Sequence, residues 1–263
     1  MTDRVELPLS GASFGADPSF VELLRRQRPE ALPSSLQTGV LEVPQGTTVL
    51  GLRFGDGIVM AGDRRATAGY TIADAKMRKV FAADDFSAIA IAGAAGQAVE
   101  TVRLFQLELE HYEKLTGDRL SLEGKANRLA QMIRANFPLA MQGLVVVPLF
   151  GGFDQARNEG RLFYYDATGG RWEEQDYQAT GSGAQPAKNS LKKRWRPGLT
   201  RDEGLRVAVE ALIDAAEDDV ATGGPDLARG IFPVVMAVTS EGATESTDEE
   251  VADAVRAVVE TRP

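Results

Sequence analysis

The sequence predicts an α+β protein built from stacked β-sheets faced by helices, and three observations carry that expectation. Apolar runs rich in Val, Ile and Ala come in groups, not singly between helices. Four segments carry a helical period and fall between or after those groups. The resulting order is strands, two helices, strands, helix, strand, helix, which departs from the regular alternation of βαβ units. No internal repeat or low-complexity block interrupts it. At 263 residues, 43% hydrophobic and 25% charged, the chain has ordinary globular composition and enough length to bury a core without staples.

The elements follow in order. Residues 47–54 and 58–61 flank Gly55-Asp56-Gly57, a strong hairpin signal. Residues 87–92 and 144–150 are further apolar runs, and 161–166 alternates before Thr168-Gly169-Gly170. Another strand leads into Ala179-Thr180-Gly181-Ser182-Gly183. Residues 231–239 form the last strong strand, in which Pro233 suggests an edge or a bulge. The first helix places Ala98, Val102, Phe105, Leu109 and Tyr112 on one face, and the second Leu122, Ala126, Leu129, Ala130 and Ile133. The third opens on the capping box Thr200/Glu203, carries an apolar stripe from Leu205 to Ala216, and is expected to stop at Gly223-Gly224. The fourth opens on a second capping box, Thr247/Glu250, followed by Val251, Ala254, Val255 and Val258.

Residues 1–46 differ in texture. Five of the twelve prolines lie there (Pro8, Pro18, Pro29, Pro33 and Pro44), with one short amphipathic piece, 18–26, that groups Phe20, Leu23 and Leu24. An ordinary N-terminal arm would have this composition. The abrupt start of a β-rich body at Thr47 favours a removable prosegment.

Composition excludes several functions. A formal charge of −9 argues against a nucleic-acid partner, which needs a basic face. The absence of cysteine excludes disulfides, thiolate metal sites and cysteine nucleophiles. The one histidine, His111, lies among Glu108, Glu110, Glu113 and Lys114 and reads as part of a solvated helix face. A serine-histidine-aspartate site and a zinc site are therefore disfavoured, and no spacing calls for carboxylate-bound magnesium. No metal and no cofactor is expected. Gly93-Ala94-Ala95-Gly96 follows a strand and opens a helix, but lacks the lysine of a P-loop and the glycine pattern of a dinucleotide site. No apolar run is long enough to span a membrane, and residues 1–10 lack the apolar stretch of a secretory signal, so a cytoplasmic location is expected.

What remains is a threonine. Thr47 follows Gly46 at the head of the first strand. A threonine hydroxyl is a poor nucleophile without an adjacent base. Cutting the Gly46–Thr47 bond would give Thr47 a free α-amine, with an ordinary pKa of roughly 7.7–8.0, that can take the proton of its own Oγ. A buried lysine would depress that amine further, and Lys79 is the candidate, with Asp63 as its counter-charge. Gly93, at a strand-to-helix turn, can offer a backbone N–H to an oxyanion. Each residue also has a plainer reading. Thr47 and Thr48 are good strand formers, Asp63 sits in a turn-like Gly62-Asp63-Arg64-Arg65, Lys79 adjoins Lys76 and Arg78, and Gly93 suits a tight turn. One mechanism uses them all.

At these residues the chain resembles the β subunits of bacterial, actinobacterial-type proteasomes. The resemblance runs from Gly46-Thr47-Thr48-Val49 through Met60-Ala61-Gly62-Asp63-Arg64-Arg65-Ala66-Thr67, Lys79-Val80-Phe81 and Ile91-Ala92-Gly93. It resumes at Gly181-Ser182-Gly183 and at Asp219-Val220-Ala221-Thr222-Gly223-Gly224. It implies the four-layer αββα sandwich of N-terminal-nucleophile hydrolases, a propeptide over 1–46 and a catalytic domain over 47–263. It implies Thr47 as nucleophile, Asp63 and Lys79 as its partners, Gly93 as oxyanion donor, and Ser182 and Asp219 hydrogen-bonding around the amine and Lys79. Thr222 stands where the family usually has serine, keeping the hydroxyl and adding a methyl. Thr67 would hold the substrate main chain, and Ala66, Met77, Ile91, Ala95 and Val99 would line an uncharged pocket, implying cleavage of protein substrates after hydrophobic residues. Family members form seven-membered β rings stacked with α-subunit rings, fed by a ring-shaped ATPase activator. The rival readings are a small-molecule amidase of the same superfamily and a catalytically silent ring subunit.

Overall fold

The computed structural model describes residues 46–68 and 71–262. The amphipathic piece 18–26 and the rest of 1–45 lie outside the described residues. The chain forms two five-stranded sheets. The first has the order β10-β1-β2-β11-β12, from β1 (Thr48–Phe54), β2 (Gly57–Gly62), β10 (Tyr177–Gly181), β11 (Val234–Thr239) and β12 (Gly242–Glu245). The second is β5-β6-β7-β8-β9, from β5 (Val80–Asp84), β6 (Ser87–Gly93), β7 (Val146–Asp154), β8 (Glu159–Tyr165) and β9 (Arg171–Glu174). A two-stranded ribbon, β3 (Ala66–Ala68) with β4 (Thr71–Asp74), stands apart. Every pairing is antiparallel.

Helices cover the outer faces. Six lie among the described residues: α1 (Ala95–Thr116), α2 (Leu122–Ala135), the short α3 (Phe137–Ala140), α4 (Ala184–Arg194), α5 (Arg201–Asp218) and α6 (Asp248–Thr261). Both capping boxes form, Thr200 with Glu203 and Thr247 with Glu250, satisfying N-terminal backbone donors that would otherwise lack partners. Among the described residues no helix is long and apolar enough to cross a membrane.

Strand alternation sorts the core into three layers. On β1, Leu50, Leu52 and Phe54 join Val209, Leu212 and Val255 of the helices, while Val49 faces the opposite sheet. On β6, Ile89 and Ile91 pack with Val102 and Phe105 of α1, while Ala88, Ala90 and Ala92 pack between the sheets with Ile58, Met60 and Leu149. The result is helix, sheet, sheet, helix, as expected. Both faces of each sheet are buried, so these strands read as continuous apolar runs even though they are antiparallel.

Two expectations need correction, and helix α4 was not foreseen. Pro233 precedes β11 and makes neither edge nor bulge, because β11 lies inside the sheet between β2 and β12. Helix α5 ends at Asp218, before Gly223-Gly224, because the following loop turns into the site described below. Helix α4 carries only Ala187, Ser190 and Leu191 as buried residues, too sparse a stripe to announce itself in sequence.

Candidate active site

Strand pairing brings the sequence-predicted residues together around Thr47. Residue 47 immediately precedes β1 and is 4% exposed. The β1–β2 register sets Val49 opposite Gly62, so Asp63, the next residue, lies beside Thr48. Asp63 N–H donates to Thr48 O at 3.1 Å, and Thr48 N–H donates to Asp63 Oδ1 at 2.8 Å. On the other side β10 sets Gly181 opposite Thr48, so Ser182 lies beside Thr47 and its N–H donates to Thr47 O at 2.9 Å. Gly181 has φ +105°, and a Cβ there would fall 1.9 Å from Thr47 O; only glycine lets β10 approach this closely.

Lys79 enters from the second sheet, just ahead of β5, and is 1% exposed. Its Nζ donates to Asp63 Oδ1 at 2.6 Å, to Arg65 O at 2.5 Å and to Gly46 O at 3.4 Å. Burial pulls the Lys79 ammonium below the usual lysine value. The charge and hydrogen bond of Asp63 only partly offset this, and the neighbouring Arg65 guanidinium adds to the fall. Asp63 is fully buried, and its Oδ2 accepts from the backbone N–H of Arg65 and of Gly223, each at 2.9 Å. The carboxylate is thus fixed by three backbone donors besides the lysine.

The Thr47 hydroxyl donates to Gly46 O at 2.7 Å, the same oxygen that Lys79 faces. Thr47 N lies 3.4 Å from Ser182 Oγ, which accepts from it. Ser182 Oγ in turn donates to Asp219 Oδ2 at 2.5 Å, and Thr222 Oγ1 donates to the same oxygen at 2.6 Å. Burial alone would push the Asp219 carboxyl up. Hydrogen bonds from Ser182, Thr222 and the Ala221 N–H, with the Lys79 charge nearby, hold it below the ordinary value. Gly46 is wedged tightly: a Cβ on it would fall 2.2 Å from Thr67 Oγ1 and 2.9 Å from Ala221.

The remaining expected residues are placed less directly. Gly93 ends β6 with φ +119°, and among the described residues it makes no hydrogen bond to Gly46 or Thr47. Ala66 and Thr67 lie on β3. Met77 N–H donates to Arg64 O at 3.0 Å, and its side chain is half-buried, as are Ala95 and Val99 in the first turns of α1. Ile91 is closed within the core beneath α1. His111 is exposed on α1. Three participants were not singled out from the sequence: Thr48, the Arg65 carbonyl, and the Gly223 N–H. Backbone groups leave no mark in a sequence, and Thr48 reads equally well as a strand former.

This four-layer sandwich, with a threonine at the head of β1 and a lysine-carboxylate pair beside it, is the fold of the N-terminal-nucleophile hydrolases. The family described as Proteasome subunit matches residues 43–226. The Proteasome subunit beta of Streptomyces griseus subsp. griseus is 55% identical over 248 residues, covering 93% of this chain and 88% of that protein. The Proteasome subunit beta of Acidimicrobium ferrooxidans is 55% identical over 240 residues, covering 91% and 88%. The chain belongs to the proteasome subunit family.

Proposed function

We propose that the chain is the catalytic β subunit of a proteasome core particle, a threonine endopeptidase made as a zymogen whose propeptide, residues 1–46, is removed by its own Thr47. The observation that carries this reading is the Gly46–Thr47 junction. The Thr47 hydroxyl lies against the Gly46 carbonyl, and Lys79 Nζ faces the oxygen on which charge would develop. In self-cleavage Thr47 Oγ adds to the Gly46 carbonyl carbon. The C–N bond breaks, the Oγ proton passes to the departing nitrogen, and the Gly46 acyl group is left as an ester on Oγ. Water hydrolyses that ester. Until then the Thr47 nitrogen is an amide and cannot serve as base, so the precursor is inactive.

In the mature enzyme the freed amine takes the Oγ proton as Oγ attacks a substrate carbonyl, then gives it to the leaving amine; water releases the acyl group from Oγ. Lys79, positive and close by, disfavours the protonated amine. Ser182 Oγ, its own proton committed to Asp219, accepts from the amine and orients it. Ala94 N–H makes the ladder bond to Val145 O at 2.8 Å, so antiparallel alternation points the Gly93 N–H away from β7, where it can serve a substrate oxyanion. Thr67 would hold the substrate main chain. Ala66, Met77, Ala95 and Val99, with Ile91 beneath, would form an uncharged pocket, which favours cleavage after hydrophobic residues.

The subunit would assemble in heptameric β rings stacked with α-subunit rings, served by a ring-shaped ATPase, in the cytoplasm. A fluorogenic peptide panel on the assembled particle tests the activity. Turnover mainly after hydrophobic residues, abolished in Thr47→Ala, supports the reading. Turnover mainly after acidic or basic residues overturns the assigned pocket, and undiminished turnover by Thr47→Ala overturns the assigned nucleophile.

A further inference from the structure

We propose that Thr48, which the mechanism above does not use, is a positioning residue: its buried hydroxyl completes a hydrogen-bond chain that holds Asp219, and through it Ser182, against the Thr47 nitrogen. The proposal rests on the reading of Thr47 as nucleophile and extends it to a side chain that never touches the reacting atoms.

Thr48 and Thr222 are both fully buried, and their hydroxyl oxygens lie 2.6 Å apart. The positions alone leave open which one donates. The partners settle it. Thr222 Oγ1 lies 2.6 Å from Asp219 Oδ2, and an ionised carboxylate only accepts, so the Thr222 proton goes to Asp219. Thr48 must therefore donate to Thr222. The lone pairs of Thr48 Oγ1 are left to accept the Gly183 N–H, 2.9 Å away. The chain runs one way: Gly183 N–H to Thr48, Thr48 to Thr222, Thr222 to Asp219. Asp219 Oδ2 also takes the Ser182 proton, which leaves Ser182 Oγ as an acceptor towards Thr47 N. A chain of this kind polarises each member in the same sense and fixes which groups donate.

A second observation is independent of the hydrogen bonds. A Cβ on Gly183 would fall 2.5 Å from Thr48 Oγ1 and 2.6 Å from Thr222 Oγ1. Gly183 has φ −89°, which any residue can adopt, so its conformation makes no demand for glycine. The space beside it is filled by the two hydroxyls. Gly181-Ser182-Gly183 thus reads as one device: the first glycine lets β10 approach the Thr47 carbonyl, the serine meets the Thr47 nitrogen, and the second glycine makes room for the chain behind them. Thr48 also donates its N–H to Asp63, so residue 48 connects the lysine-carboxylate pair on one side of Thr47 with the serine-aspartate pair on the other.

The test compares wild type with Thr48→Val and Thr48→Ser in the assembled particle, using intact mass for Gly46–Thr47 cleavage and a fluorogenic peptide for kcat and KM. Valine keeps the shape and deletes the hydroxyl, leaving the Gly183 N–H and Thr222 short of a partner; serine restores the hydroxyl without the methyl. In fully processed enzyme, Thr48→Val should lower kcat about tenfold with KM within about twofold, the pattern of lost transition-state positioning. Thr48→Ser should return kcat to within about threefold of wild type. If valine slows processing as well, mass counted over time should show the same order, with serine faster than valine. Wild-type kcat in processed Thr48→Val would overturn the proposal, as would Thr48→Ser being as slow as Thr48→Val, which would make the methyl the functional part. Thr47→Ala is run alongside: activity surviving in it would refute the nucleophile itself, an outcome separable from any result at residue 48.

Discussion

Among the described residues three cations are buried; Lys125 pairs with Asp84, and the other two, Lys79 and Arg161, are handled in opposite ways. Lys79, 1% exposed, is paired with one carboxylate, Asp63, whose oxygens are shared with three backbone donors. Arg161, 3% exposed on β8, meets three carboxylates: Glu173 of β9, Asp154 at the end of β7, and Glu123 of α2. It also lies over the Phe163 ring at 4.9 Å. Burial outweighs the single partner at Lys79 and lowers its proton affinity; at Arg161 the hydrogen bond to Glu173, with those to Glu123 and Asp154, outweighs burial and raises it further. An over-compensated buried cation is a fastener between elements. An under-compensated one, facing the carbonyl next to the proposed nucleophile, is suited to chemistry.

Deleting the proposed nucleophile should have the largest effect. Thr47→Ala is expected to lose peptide turnover by at least about 10⁴-fold, as for other nucleophile deletions, measured against a fluorogenic peptide at saturating concentration. Next is Lys79→Met. It removes the charge proposed to keep the freed Thr47 amine unprotonated, and kcat should fall about 10²–10³-fold, while thermal stability changes modestly because Asp63 keeps its three backbone donors.

Arg161→Met should reverse that pattern. It removes a cation shared by three carboxylates and should destabilise the fold by about 3 kcal/mol, the lower end for a broken buried pair because Glu123 reaches water and keeps Arg171 while Asp154 keeps Arg157. The Tm should drop by roughly 6–12 °C, with kcat on peptides unchanged. If Lys79→Met proved the less stable variant and Arg161→Met the less active one, the assignment of roles would be reversed.

The smallest effect is a pH dependence at Asp219. Its folded value lies below the ordinary carboxyl value of about 3.9, so its contribution to stability is present above that pH and is lost as pH falls through the folded value. The Tm advantage of wild type over Asp219→Asn should therefore be constant near neutrality and shrink in acid. A gap that widened as pH fell would contradict the hydrogen-bonded carboxylate.

Much of the architecture was legible because both faces of the strands are apolar and two helices carry explicit capping boxes at Thr200 and Thr247. The short strands β3, β4, β9 and β12 were not, since three or four residues carry too little pattern to separate them from loop. Helix α4 escaped because its buried stripe is so narrow. At the site, Asp63 and Lys79 could be named from chemistry, since one mechanism built on a candidate nucleophile calls for a buried lysine and its counter-charge. That Lys79 is buried, unlike exposed Lys76 and Arg78 beside it, depends on where β5 begins and could not be read from composition. Thr48 was hidden for a related reason: its role lies in a hydroxyl contact with a residue 174 positions away.

The central claim is that the Gly46–Thr47 bond is the switch, and intact mass of the purified protein tests it most directly. Wild type should lose residues 1–46 and begin at Thr47, while Thr47→Ala should keep them. An active wild-type chain with the bond intact, or a Thr47→Ala chain cut at the same place in a clean recombinant preparation, would contradict it.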